Sequence, residues 1–179
     1  MVKFSAFGQV LTSIFLVSLT LFVLAPAVFA SSDSIETQRE RRDEQRLTDL
    51  RKVNKGIKLT VQESTISGIL CNYTAFPCHG NSTTDSSSAD GTGWVKINLT
   101  QFTDTLPVDP VNNAGANGYH YVYCADKPAG VRQAGWELNT KLESLKYAPL
   151  MTSDGGDDNN LYEVGSNLFI NGISVGCTY

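Results

Sequence analysis

Leu47-Thr48-Asp49-Leu50-Arg51-Lys52-Val53-Asn54-Lys55-Gly56-Ile57-Lys58-Leu59-Thr60-Val61 decides the fold. Its apolar residues Leu47, Leu50, Val53, Ile57 and Val61 recur at intervals of three or four. That period gathers them on one face of an α-helix. A helix with a single apolar stripe is suited to lie on a sheet, and the chain beyond it supplies short strands.

Toward the N-terminus, residues 33–58 contain no Pro and no Gly before Gly56. Arg, Glu, Gln, Leu and Lys dominate, all good helix formers. Thr37 to Arg46 is polar all round, with Arg39–Asp43 at i,i+4 and Glu36–Arg39 and Asp43–Arg46 at i,i+3. Residues 31–66 therefore read as a helical stem and spine, solvated first and then core-facing.

Residues 1–30 are a different object. No charge occurs from Phe4 through Ser32, and Ile14 to Val28 is apolar apart from Ser18, Thr20 and Pro26. Lys3 ahead of this run favours an inside N-terminus and an exported remainder. Two readings stand: a signal peptide cleaved after Val28-Phe29-Ala30, or a retained membrane anchor over Val10 to Ala30. The protein is accordingly expected outside the cytosol. It is either single-pass, with its N-terminus inside and C-terminal domain outside, or secreted after cleavage near Ala30.

The 179 residues carry a net charge of −4. Residues 31–60 hold eight basic and six acidic side chains, whereas residues 61–179 hold five and twelve. An acidic body argues against a general nucleic-acid binder. A hydrophobic fraction of 41% argues against a wholly disordered chain.

Residues 67–179 read as an antiparallel sheet body ending in an acidic loop. Strands are expected at Trp94–Leu99, Tyr119–Cys124, Trp136–Leu142, Leu161–Val164 and Leu168–Ile170. Asn81 to Gly93, almost free of apolar residues, is expected to be a mobile loop. With one helix ahead of the strands, the fold class is α+β, a long N-terminal helix packed on a small antiparallel sheet.

Catalytic signatures are absent: there is no G-x-S-x-G, P-loop, G-x-G-x-x-G or H-E-x-x-H. The chain therefore reads as a non-enzyme. Four cysteines suit an oxidising compartment, and the preferred pairing is Cys71–Cys78 with Cys124–Cys177. Zinc is disfavoured, since no C-x-x-C occurs. The run Ser153-Asp154-Gly155-Gly156-Asp157-Asp158-Asn159-Asn160 offers hard oxygens, with calcium the candidate ion. The alternative there is a solvated acidic turn. Trp94, Tyr119, Tyr121 and Tyr123 would serve a glycan- or protein-binding module if exposed, and cross-strand packing if buried.

Several segments together resemble the type IV pilin-like proteins, above all the pseudopilins of type II secretion systems. They are Arg42-Asp43-Glu44-Gln45-Arg46-Leu47 through Arg51, Leu106-Pro107-Val108-Asp109-Pro110, Tyr119 to Tyr123, Trp136 to Glu143, and Asp154 to Asp158. The resemblance covers the chain from about Arg39 and implies a helical spine, a small sheet and assembly with other pilin-like subunits or secretion machinery. It also implies calcium in the C-terminal loop, at Asp154, Asp157 and Asp158. The prepilin motif is absent: Gly8 is followed by Gln9-Val10-Leu11-Thr12-Ser13, with Ser13 where the family carries Glu. An extracellular binding module outside any filament is the alternative function.

Overall fold

The computed structural model describes residues 7–64, 67–115, 117–127, 129, 134–170 and 177–179, with helix side chains from Ser34 onward. Among the described residues, one α-helix, α1 (Phe7–Glu63), precedes four strands: β1 (Cys78–Asn81), β2 (Val122–Asp126), β3 (Gly135–Thr140) and β4 (Tyr162–Gly165). The strands form one antiparallel sheet in the order β1-β2-β3-β4. The fold is α+β. The chain divides into two compact units, Met1–Arg39 and Glu40–Tyr179. In the first, Arg39 pairs with Glu36 at 3.4 Å.

Within the second unit, Leu50, Val53 and Ile57 join Trp94, Ile97, Leu99, Tyr121, Tyr123 and Leu138 in the main core. The helical spacing of the first three is what allows this. Polar atoms at the same interface are matched. Trp136 Nε1 donates to Asn54 Oδ1 at 2.9 Å, and Tyr121 Oη donates to Asp49 at 2.9 Å. Trp94, Tyr121 and Tyr123 are fully buried, so these aromatics are core residues and not an exposed recognition surface.

The strands differ from expectation in place and number. Trp94–Leu99 is irregular, because its amides bond across turns, Trp94 to the Ser86 carbonyl and Leu99 to that of Ala89. Asn81–Gly93 is correspondingly folded against the core: Ala89 is buried, and a side chain on Gly93 would meet the Ser88 carbonyl at 2.1 Å. β2 begins at Val122 because the Tyr121 amide bonds the Ser82 hydroxyl instead of a strand. Leu168–Ile170 forms no strand, and β1 was not expected at all.

Among the described residues, no helix is long and apolar enough to cross a membrane. The side chains of the 1–30 segment, expected as signal peptide or anchor, lie outside the described residues.

Candidate functional site

A densely bonded polar cluster is built on α1. Arg46 is fully buried and donates to three carboxylates. It contacts Asp109 through Nε at 2.6 Å and Nη2 at 3.0 Å, Asp43 at 2.8 Å and Glu143 at 2.7 Å. Its guanidinium lies 4.6 Å from the centre of the Tyr119 ring. Arg42 forks onto Glu143 at 2.6 and 2.8 Å. Asp43 in turn accepts the Ser144 amide at 2.8 Å and hydroxyl at 2.6 Å. Burial works against the Arg46 charge, but its bonds to Asp109, Glu143 and Asp43 outweigh it and raise its pKa. Burial likewise opposes ionisation of Glu143, and Arg42 and Arg46 overcome it and lower its pKa. Two guanidiniums face three carboxylates, each in contact with an opposite charge, so the cluster ties α1 to the segments that carry Asp109 and Glu143.

The acidic loop follows a different logic. Asp154 Oδ1 accepts the Gly156 amide at 3.0 Å, and Oδ2 accepts the Glu163 amide at 2.8 Å. Asp158 Oδ1 accepts both the amide and side-chain nitrogen of Asn160. Asp157 is exposed. These are turn-forming bonds of short carboxylates to nearby backbone. Among the described residues, no group of three His, Cys, Asp or Glu is placed to hold a metal.

Behind this loop, on the sheet face turned away from Tyr123 and Leu138, sits a second small cluster of Val122, Cys124, Ile170 and Cys177. Three polar residues share that face: Glu137, Asn139 and Glu163, all buried. Burial, and then the hydrogen bond with Glu137, push the Glu163 carboxyl up to about 8. Sequence reasoning missed this group, because a charged residue in an alternating strand reads as solvent-facing. The only signal was indirect, the apolar Leu168–Ile170 and Cys177 further on, which help cover the face.

Cys71 and Cys78 form a disulfide, as expected from their spacing. Cys124 and Cys177 are both buried free thiols. They pack in one buried cluster, and the neighbouring Cys177 thiol, together with burial, raises the Cys124 pKa. His120 stacks on Tyr179 with ring centres 4.1 Å apart, and burial lowers its pKa. An open groove of about 540 Å³ lies nearby, lined among others by Lys141, Met151, Asp158, Asn160 and Tyr179. Comparison with protein families, with curated proteins and with solved structures finds no match.

Proposed function

We propose that this chain is a non-catalytic, pilin-like protein of the cell envelope. In this reading it is exported, displays residues 40–179 as its body, and assembles with other pilin-like subunits or a secretion machinery. The observation that carries the reading is the Arg46 cluster. It draws together three separate segments on which the pilin resemblance rests: Arg42-Asp43-Arg46, Asp109 of Leu106–Pro110, and Glu143 after β3. Segments that look weak one by one gain weight when they share one buried ion network. A closed network of this kind suits a structural subunit.

Cell fractionation tests the proposal. The protein is expected to sediment with sheared surface filaments or co-purify with envelope secretion components. Recovery solely as a free monomer in the medium overturns assembly. N-terminal sequencing of the same material separates the routes: Ser31 marks a secreted form, Met1 an anchored one, and a start near Gln9 a processed prepilin.

The groove beside Tyr179 favours a second reading, an extracellular binding module that remains outside filaments. Its amide, carboxylate, ammonium and aromatic groups fit a polar ligand such as a glycan. Glycan-array binding lost on Asn160→Ala would support it.

A further inference from the structure

The far face of the sheet holds polar groups that its own packing does not satisfy. Register places Asn139 of β3 opposite Glu163 of β4, and Glu137 opposite Gly165. Side chains alternate along a strand, so Glu137, Asn139 and Glu163 share one face, with the two glutamates diagonal neighbours. Glu137 and Asn139 are 0% exposed and Glu163 is 2% exposed.

Some of the oxygens are fixed. Glu163 Oε2 accepts the Asp158 amide at 3.1 Å, and Glu137 Oε2 accepts the Ile170 amide at 2.8 Å. Glu163 Oε1 and both amide atoms of Asn139 have no hydrogen-bond partner. Among the described residues, no Lys or Arg pairs with Glu163. Buried carboxylates are normally paired with a cation or bound to a metal, and an orphaned buried amide is rare.

We propose that Glu137, Asn139 and Glu163 form a binding site for one hard divalent cation, of which calcium is the probe. Two carboxylates balance its charge, and Asn139 Oδ1 adds a third oxygen of the kind such ions prefer. The site lies on the strands beneath the acidic loop and not on Asp154, Asp157 and Asp158; Asp154 and Asp158 accept N–H groups in bonds that hold the turns. It also ties the loop to the sheet. A side chain on Gly156 would come within 1.9 Å of Glu163 Oε2, so the loop backbone rests directly on that carboxylate. The inference stands independently of the pilin-like reading.

The test uses the full chain stripped with chelator. Isothermal titration calorimetry with calcium is expected to give one ion per chain. At about a hundredfold excess of calcium over the dissociation constant, Tm is expected to rise by about 5–10 °C. Glu163→Gln and Glu137→Gln keep side-chain volume and should each abolish the rise. Asn139→Asp should strengthen binding, which keeps the proposal testable if a Gln variant folds poorly. The proposal is overturned if the wild type shows no rise with calcium. It is equally overturned if the rise survives in both Gln variants while disappearing in Asp157→Asn, which moves the ion to the loop.

Discussion

Arg46 and Asp109 stand 63 positions apart in the chain and meet in the interior through two parallel bonds, Nε–Oδ2 at 2.6 Å and Nη2–Oδ1 at 3.0 Å. Planar two-point pairing of this kind is specific to arginine. Removing one partner from a buried pair leaves an uncompensated charge, a loss of about 3–5 kcal/mol. Arg46→Ala is expected to destabilise the body by about that amount in urea unfolding, since Asp109 and Asp43 both lose their cation. Arg46→Lys keeps the charge but cannot form the fork, and should cost less. A loss under about 1 kcal/mol for the alanine variant contradicts a network that holds the body together.

The Glu137–Glu163 pair makes a prediction about pH. The Glu163 carboxyl has a folded-state pKa of about 8 against an ordinary 4.5, first through burial and then through Glu137. Between those values the folded chain keeps a proton that the unfolded chain releases. Its contribution to stability is therefore complete below about pH 4.5, declines as pH rises, and is lost above about pH 8. In chelator, Tm should fall from pH 5 to pH 9, and Glu163→Gln should flatten the fall. An identical pH profile for the two proteins refutes the assignment.

Residues whose pattern reports their surroundings were readable in sequence. Leu50, Val53 and Ile57 declare a helix face by spacing alone, and that face is buried. Cys71 and Cys78 declare their bond by proximity. Trp94–Leu99 alternated like a strand yet is irregular, because its amides bond turns that bring Ser86 and Ala89 to it from earlier in the chain. A local pattern cannot show where a distant carbonyl will lie. Glu137 and Asn139 were missed for a related reason. Their strand is covered on both faces, and the second cover comes from residues far along the chain, such as Ile170 and Cys177. The Arg46 cluster lay between: its segments were visible, while their meeting point depends on tertiary structure.

Gly156 offers a sharper check on the loop. An added methyl there overlaps Glu163 Oε2, and overpacking of this sort destabilises by about 1–3 kcal/mol. Gly155 has open space around it but a φ of +93°, so alanine there meets only backbone strain, about 1 kcal/mol. Gly156→Ala should lower Tm more than Gly155→Ala, and it should also weaken any calcium response. Equal shifts for the two variants argue that the loop does not rest on Glu163.

Cys124 and Cys177 are buried free thiols that pack in one cluster, and under the proposed export they would meet oxidants that join such neighbours. Closing the long loop between them removes unfolded-state entropy worth about 4 kcal/mol. Both sulfurs are 0% exposed, so a bond formed during folding is shielded afterwards from reductant. Protein collected from the exported fraction, digested without reductant, should yield a peptide joining Cys124 to Cys177 beside the one joining Cys71 to Cys78. The same chain made in a reducing cytosol should keep both thiols and alkylate them only after unfolding. If exported protein, denatured but unreduced, is alkylated at Cys177, the pair remains reduced and the body's stability rests on packing and the Arg46 cluster instead.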